Sequence, residues 1–203
     1  MGAVAVSLCA GAQLFNGKDL QGWTLIRSQG KDPLVVEGGV MHTTGSKGDA
    51  VYTGGKIGNA TIHVVYKMSN DYGNSGVFIR IPFLPKSEGD AINTGIEVQI
   101  DNQDDDWHCT GVLYSMTKAL ARPYKPAGEW NTLDITLDGV RTIVRLNGVV
   151  VTDYDGVAPV PPKVLPYEPD RGPRPETGYI ALQGHDSRAI VSFKEISVEP
   201  LKK

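Results

Sequence analysis

The sequence has little cysteine and no strong bias of charge. Only Cys9 and Cys109 occur in 203 residues, too few for the disulfide framework of small secreted domains. The formal net charge is −3, and no basic stripe with interleaved aromatic residues marks a nucleic-acid-binding surface. No apolar run reaches the roughly 18 residues of a membrane-spanning helix. We therefore expect a domain stabilised by packing, without nucleic acid as a partner and without a membrane span.

Motifs for several common chemistries are missing as well. Gly-rich phosphate loops, a Gly-x-Ser-x-Gly elbow and a Cys-x-x-Cys pair are absent, which leaves nucleotide binding and serine-hydrolase chemistry without support. The histidines fall at no metal-ligand spacing. The acidic run over residues 101–106 lacks the glycine and the glutamate of an EF-hand. The spacing thus predicts a solvated loop there and no metal site.

Residues 1–12 differ in composition from the rest of the chain. They are apolar and end in Ala10-Gly11-Ala12, a small-residue cleavage site of the kind that precedes a mature N-terminus. They are either the remnant of a signal peptide or a first strand. Residues 13–203 show neither an internal repeat nor a domain boundary, so we predict a single domain over that range.

The dominant periodicity is two, which predicts strands. Alternating or β-branched runs occupy residues 61–68, 76–81, 96–101, 178–183 and 189–198. Between residues 132 and 153, Asp138-Gly139 and Asn147-Gly148 separate three such runs, which predicts an antiparallel meander. At most, residues 115–121 form a short turn of helix. The pattern predicts an all-β fold of two packed antiparallel sheets or a barrel.

The most informative strand is the run over residues 96–101. Its polar residues Glu97, Gln99 and Asp101 alternate with apolar ones and form a row of groups suited to hydrogen bonds with sugars. Residues four apart on one face lie about 13 Å apart, whereas paired glycosidase carboxylates lie about 5–9.5 Å apart. A conventional glycosidase would therefore need a second carboxylate from another strand.

Other candidate residues lie on neighbouring strands and loops. Arg80 ends an apolar strand, where an arginine usually has a carboxylate partner, and Glu97 or Asp101 is the natural candidate. Gln183 and His185 share one side if their strand continues through them.

Two loop features are also candidates for the site. Of the three tryptophans, Trp107 in the acidic loop is expected to be the most exposed. The proline-rich segment over residues 155–177 either walls a groove or is an irregular connection.

Several short segments of the sequence resemble those of a known family and occur in the same order as in that family. They are Leu14 to Trp23, Asn74 to Arg80, Gly95 to Asp101, Thr110 to Tyr114, Gly128 to Asn131, Leu146 to Gly148, Gly178 to His185 and Phe193 to Ile196. The chain is similar to the 3-keto-disaccharide hydrolase domain family from about residue 13 to its end. The resemblance implies a jelly-roll sandwich of the concanavalin A-like lectin/glucanase kind.

The resemblance also implies a secreted or periplasmic bacterial protein that acts on glycosides oxidised at C3. Such glycosides can be cleaved by elimination and hydration, which require one base, one acid and an enolate stabiliser. Glu97 or His185 would serve as base or acid and Arg80 as stabiliser, unless a divalent metal takes that place. The sugar would be contacted by Asn74, Gln99, Asp101, Tyr114, Gln183 and Trp107.

Two other functions remain open from the residues themselves. A fold of this kind serves lectins as readily as enzymes, so the domain could be a non-catalytic carbohydrate-binding module. The third hypothesis is a conventional endo-glucanase, which predicts a second carboxylate near Glu97. The sequence does not predict the oligomeric state or a cofactor.

Overall fold

The computed structural model describes residues 11–28, 30–185 and 187–202. Cys9 and the first ten residues of the apolar segment lie outside the described residues. Over the described part of the chain, no helix has both the length and the apolarity needed to cross a membrane. The elements there are β1 (Ala12–Gln13), β2 (Trp23–Arg27), β3 (Leu34–Glu37), β4 (Val40–Thr43), β5 (Gly48–Tyr52), β6 (Ala60–Met68), β7 (Asn74–Ile81), α1 (Glu88–Thr94), β8 (Ile96–Asp101), β9 (Asn131–Asp138), β10 (Arg141–Leu146), β11 (Val149–Tyr154), β12 (Tyr179–Gly184) and β13 (Val191–Pro200).

The strands form two antiparallel sheets. The larger sheet has the order β11-β10-β9-β6-β13-β4-β3, with β1 paired to β13, and the smaller has the order β2-β5-β12-β7-β8. One apolar cluster joins both sheets, with Ile62 and Phe193 from the larger sheet and Val98 and Leu182 from the smaller. The predicted all-β fold of two packed sheets is confirmed.

Turn chemistry sets the register of the meander β9-β10-β11. Asn147 and Gly148 both have positive φ, 50° and 83°, as a two-residue type I′ hairpin requires. At the other hairpin, Asp138 pairs with Arg141, and Gly139 has a φ of 55°. The loop residues there are Gly139 and Val140, one position later than the Asp-Gly pair in the sequence suggests.

The only α-helix within the described ranges was not predicted. Helix α1 has seven residues and begins with a capping box, in which Ser87 accepts from the Asp90 amide and Asp90 accepts from the Ser87 amide. It buries Ala91 alone, so it shows no apolar repeat. Residues 115–121 form turns instead of the helical turn suggested above, since Ser115 has a φ of 56°, outside the helical region.

A β-bulge interrupts β7. Tyr179 of β12 pairs with Ile81, whereas Ala181 pairs with Phe78, so Ile79 and Arg80 together oppose one residue of β12. Arg80 has a φ of 58°. Such a bulge shifts the alternation of side chains along a strand, and Arg80 consequently points toward β10 of the other sheet.

Candidate active site

A pocket lies on the face of the smaller sheet that is directed away from the core. Its volume is about 290 Å³, close to the lower limit for small-molecule sites. Strands β7, β8 and β12 supply its floor, and helix α1 and four loops supply its walls. The lining residues are Lys47, Asn74, Glu88, Ile92, Glu97, Gln99, Tyr114, Tyr167, Gln183 and His185.

Glu97 of β8 is the central acid of this pocket. Its side chain lines the cavity, yet the residue is only 7% exposed. Burial raises the pKa of the Glu97 carboxyl to about 8, and the nearby carboxylates of Asp49 and Glu88 add to the increase. A carboxyl group with this pKa holds its proton at neutral pH and can still release it there, as acid–base catalysis requires.

Gly76 of β7 gives Glu97 the space to lie across the neighbouring strand. A Cβ atom at Gly76 would meet Glu97 Oε1 at 2.2 Å and its Cγ at 2.7 Å. The Gln99 amide, in the orientation that satisfies both of its ends, donates to Glu97 Oε1 at 3.2 Å and to Ser75 O at 3.1 Å. The predicted row Glu97-Gln99 therefore acts as a hydrogen-bonded unit.

Asp49 of β5 is a buried acid that the sequence reasoning missed. It is 0% exposed and pairs in register with Gln183 of β12. Neither carboxylate oxygen of Asp49, nor Oε1 of Gln183, has a hydrogen-bond partner among the described residues. Burial, and secondarily the charge of Glu88, raises the pKa of Asp49 well above its ordinary value.

Helix α1 and the loops supply further residues that were not predicted. Glu88 of α1 lines the pocket and accepts a hydrogen bond from Ser28 Oγ at 2.6 Å. Lys47 provides a positive charge on the same lining. Signals in the sequence were weak, because Glu88 belongs to a short helix without a periodic pattern and Lys47 to a loop.

Two tyrosines complete the walls. Tyr114 lies against the ring of His108, with 4.8 Å between the ring centroids. Burial, and then the charge of Glu97, raises the pKa of Tyr114, so its hydroxyl remains a proton-bearing donor. Tyr167, from the proline-rich segment, is 54% exposed and lines the pocket.

The proline-rich segment is anchored by arginines. Arg171 donates to Ser115 Oγ at 3.1 Å and to the Glu168 carboxylate at 2.9 Å. Arg174 donates to Gly95 O at 3.1 Å, directly before β8. These bonds tie the segment to the pocket, and together with Tyr167 they favour the groove-wall interpretation.

Six of the nine sequence-predicted site residues meet in the pocket: Asn74, Glu97, Gln99, Tyr114, Gln183 and His185. Asp101 and Trp107 are not among its described lining residues. Asp101 accepts from the amides of Gln103 at 2.8 Å and Asp104 at 3.2 Å and from Asn74 Nδ2 at 3.3 Å, so it caps the acidic loop. Trp107, 36% exposed, is the most exposed tryptophan, as expected.

The interpretation of Arg80 as a partner of Glu97 or Asp101 is wrong. Its guanidinium donates to Thr142 Oγ1 and to the carbonyls of Arg141, Pro175 and Glu176, at 2.9–3.4 Å. The physical reason is the bulge in β7, which turns the side chain toward the other sheet. Arg80 therefore joins β10 to the end of the proline-rich segment and is not a catalytic residue of this pocket.

Among the described residues, one group of histidine and acidic side chains lies close enough together to hold a metal ion. It consists of Asp104, Asp105 and His108, whose ligand atoms lie within 4.8 Å of one another. The two aspartates are exposed and all three residues lie outside the pocket lining. Exposed acidic groups of this kind are common without a bound ion, so the solvated loop without a metal site stays a prediction.

The fold and the pocket define a class before any comparison is made: a jelly-roll sandwich of the lectin/glucanase kind with an acidic pocket on one sheet. Residues 11–199 match the family described as the 3-keto-alpha-glucoside-1,2-lyase-like domain. The chain belongs to this family. Membership supports a carbohydrate-active function.

Solved structures agree with this fold. Two proteins from Parabacteroides distasonis, provisionally assigned as glycosyl hydrolases, superpose with TM-scores of 0.74 and 0.76. They share 23% and 24% identity, over 94% and 95% of this chain and 99% and 94% of theirs. The carbohydrate-binding module CBM66 of Bacillus subtilis superposes with a TM-score of 0.58 at 15% identity, over 88% of this chain and 95% of its own. No curated protein sequence matches the chain.

Proposed function

We propose that this domain cleaves glycosides whose sugar carries a ketone at C3, by elimination followed by hydration. The observation that carries the proposal is Glu97, a buried carboxyl with a pKa of about 8 in the pocket of a domain of this family. A pocket of about 290 Å³ suits one sugar ring with part of its substituent. We further propose that the protein is exported, as the family resemblance implies.

The chemistry needs few groups. The ketone at C3 acidifies the hydrogen at C2, so a base removes that proton and an enolate forms. The enolate electrons then form a double bond between C1 and C2, and the bond from C1 to the glycosidic oxygen breaks as an acid protonates that oxygen. Water finally adds, with its hydroxyl at C1 and a proton at C2, so the net result is hydrolysis.

Glu97 fits the role of the acid. Its raised pKa keeps the carboxyl protonated at neutral pH, and the hydrogen bond from Gln99 at 3.2 Å fixes the position of Oε1. A general acid works best when its pKa lies close to the working pH. Glu97 would therefore give its proton to the departing glycosidic oxygen.

His185 is the candidate base, since it lines the same pocket, is half-buried and directly follows β12. With Arg80 placed elsewhere, stabilisation of the enolate falls to other donors. The Tyr114 hydroxyl retains its proton, and Lys47 adds a positive charge on the lining. Preorganised donors of this kind stabilise developing negative charge. No step is assigned to a metal, because the described metal-type cluster lies outside the pocket.

Direct hydrolysis of unoxidised glycosides is the second candidate. It is favoured by Glu88, which places a second carboxyl group on the lining of the same pocket as Glu97. Two carboxyl groups about 5–9.5 Å apart are the usual equipment of glycosidases. In that case Glu88 would act as nucleophile or base and activity would not depend on a ketone at C3.

The test is turnover of matched substrates. Purified protein is incubated with a 3-keto-disaccharide and with its unoxidised parent, each with and without a chelator, and sugar release is followed by chromatography. The proposal expects release of 3-keto-glucose from the oxidised substrate alone, with little effect of the chelator.

The other outcomes separate the alternatives. Release from the unoxidised parent, lost in Glu88→Gln, would establish the conventional glycosidase instead. Binding of both sugars without release from either would make the domain a carbohydrate-binding module. Loss of release on chelation would show that a metal takes part.

A further inference from the structure

The pocket has an apolar side that the proposed roles leave unused. Most of its lining residues are polar, but three carry an aliphatic or aromatic side chain: Ile92 of helix α1, Tyr114 in the loop after β8, and Tyr167 of the proline-rich segment. The proposed chemistry draws on the Tyr114 hydroxyl alone. Apolar and aromatic side chains in a small-molecule site supply the surface on which a ligand packs, so these residues point to a part of the substrate that has no partner yet.

Hydrogen bonds join the proline-rich segment to the residue that follows Ile92. The side-chain oxygen of Asn93 accepts from Lys163 Nζ at 3.2 Å, and its carbonyl accepts from the Asp170 amide at 3.2 Å. Lys163 and Asp170 flank Tyr167 in the chain, and they also bond to each other at 2.8 Å. The part of the segment that carries Tyr167 is therefore fixed beside helix α1.

The same segment is joined to the residue that follows Tyr114. Arg171 donates to the carbonyl of Ser115 at 3.2 Å and to its hydroxyl at 3.1 Å. Ile92, Tyr114 and Tyr167 thus come from three parts of the chain that hydrogen bonds hold together around one pocket. We call these three residues the apolar wall.

Tyr167 lies at the exposed tip of a closed turn. The turn is closed by Glu168, which is only 5% exposed: its Oε2 accepts from the Val164 amide at 3.0 Å, and its amide donates to Leu165 O at 3.1 Å. The four preceding residues are all exposed, namely Val164, Leu165, Pro166 and Tyr167. Exposed apolar side chains that are grouped beside a pocket often mark a ligand-binding surface.

The chemistry of the tip favours an aromatic ligand over a sugar. The charged side chains near it already bond to one another, since Glu168 accepts from Arg171 at 2.9 Å and Asp170 accepts from Lys163. A sugar ring packed on the tip would place hydroxyl groups against apolar atoms, and a buried hydroxyl without a partner is costly. An aromatic ring has no such groups, and it gains by stacking on the ring of Tyr167.

The size of the pocket places the leaving group at this wall. A volume of about 290 Å³ suits one sugar ring with part of its substituent, so the rest of the substituent lies at the mouth. Tyr167 lines the pocket and is 54% exposed, so its ring belongs both to the lining and to the surface outside. A substituent that extends from the pocket can therefore meet this ring first.

We propose that the apolar wall binds the leaving group of the substrate, that this group contains an aromatic ring, and that Tyr167 is the residue that selects it. The inference rests on the proposed function, because it names the substrate class of the same pocket. The preferred substrates are 3-keto-glucosides of aromatic alcohols or phenols, and disaccharides oxidised at C3 are turned over more slowly.

The experiment compares the benzyl and methyl glucosides oxidised at C3 with a 3-keto-disaccharide, each as both anomers, on the full chain. All three substrates release an alcohol, so differences in their intrinsic reactivity are small. In the wild type, kcat/KM for the benzyl compound should exceed that for the disaccharide about tenfold or more. The benzyl compound should also have the lowest KM.

Variants of Tyr167 identify the source of the preference. Tyr167→Ala should lower kcat/KM for the benzyl compound about three- to tenfold, through KM, as expected for the loss of one ring contact. The values for the other two substrates should stay within about twofold. Tyr167→Phe keeps the ring and should keep the preference. The matched control is Tyr124→Ala, at an aromatic residue that is 36% exposed and outside the described pocket lining, and it should change none of these values.

Three kinetic results would overturn the proposal. They are a wild-type kcat/KM for the disaccharide that equals or exceeds that of the benzyl compound, a benzyl preference that survives in Tyr167→Ala, and a preference that is lost in Tyr167→Phe, which would assign it to the hydroxyl. Calorimetric binding of the benzyl and methyl compounds separates this inference from the proposed function, because binding needs no turnover. Tighter binding of the benzyl compound that is lost in Tyr167→Ala, beside an absence of turnover, would refute the proposed function and keep the apolar wall as an aromatic site. Turnover without a benzyl preference would do the reverse, and neither binding nor turnover would refute both.

Discussion

Along the strands of both sheets, polar side chains alternate with apolar ones, and polar side chains lie on the outer faces. The two outer faces differ in the exposure and the hydrogen bonding of those polar side chains. On the larger sheet, Thr61 and Thr136 share a hydrogen bond of 3.0 Å, and His63 and Asp134 one of 2.6 Å. These pairs are partly exposed and satisfied across strands. On the smaller sheet, the polar groups lie under a helix and a loop, and the carboxylate oxygens of Asp49 and Oε1 of Gln183 have no partner among the described residues.

The difference lies in what covers each face. Helix α1 and the proline-rich segment enclose the smaller sheet, so carboxyl groups there lose water without gaining an opposite charge. That loss is the first cause of the raised pKa of Glu97 and of Asp49. An alternating polar row therefore indicates a functional site only when other elements cover it, and each prediction below tests this contrast.

The largest effect is expected for Glu97→Gln. Removal of a general acid typically lowers turnover about 100- to 10,000-fold, whereas the isosteric amide should leave sugar binding within a few-fold. Steady-state kinetics on a 3-keto-disaccharide and calorimetric binding of the same sugar measure the two quantities separately. Full turnover in the variant would refute the role given to Glu97, and loss of binding with unchanged kcat would make it a sugar ligand.

Arg80→Leu should affect stability and not chemistry. The substitution leaves three partly buried backbone carbonyls and the buried Thr142 Oγ1 without their donor, which should lower the free energy of unfolding by about 2–4 kcal/mol. Urea denaturation measures this change. The control is Arg122→Leu, from a side chain that is 34% exposed, with a smaller expected loss. If Arg80→Leu instead abolished turnover in the folded protein, the assignment of Arg80 to a structural role would fail.

Stability should also fall as the pH rises. The pKa of Glu97 is about 8 in the folded protein against an ordinary value of 4.5, so the folded state binds this proton more tightly than the unfolded chain. The resulting stabilisation is complete below about pH 4.5 and is lost as the pH rises through about 8. In Glu97→Gln, the decline between about pH 5 and 8 should be smaller by at least about 1 kcal/mol. Equal slopes in wild type and variant would contradict the raised pKa.

Gly76→Ala tests the steric side of the same site. The new methyl group would overlap Glu97 Oε1, which lies 2.2 Å from its position, so we expect about a tenfold or greater loss of kcat and about 1–3 kcal/mol of stability. Gly89→Ala in helix α1 is the matched control, because its nearest neighbours lie 3.8 Å away. The control should stabilise the protein slightly through helix propensity. Unchanged kinetics in Gly76→Ala would show that Glu97 does not need its observed position.

Local pattern was enough to predict β8 and most of the pocket floor. Alternation placed Glu97 and Gln99 on one face, and the strand bounds Ile96–Asp101 agree with the expected ones. The hairpin at Asn147-Gly148 followed from turn chemistry, which depends on only two residues. These features are local, and one sequence contains all the information they need.

Features that depend on distant contacts could not be predicted. A bulge in β7 redirects Arg80, and its position is set by pairing with β12, about a hundred residues later in the chain. Asp49 gains its place opposite Gln183 only when β5 and β12 pair. Helix α1 buries only one residue, so it has no apolar repeat. No periodic pattern in the sequence therefore indicated the helix or the place of Glu88 in the pocket.

Asp134→Asn, on the outer face of the larger sheet, should have the smallest effect. Its carboxylate is 29% exposed and pairs with His63, itself 33% exposed, so solvent screens the interaction. Pairs of this kind contribute about 0–1 kcal/mol, and the pocket lies on the other sheet, so kinetics should match those of the wild type. Urea denaturation and turnover of the variant measure both quantities. Suppose instead that Asp134→Asn lowered the free energy of unfolding as much as Arg80→Leu does. An exposed polar pair would then contribute as much as a buried one, and cover by other elements would not explain the difference between the two faces.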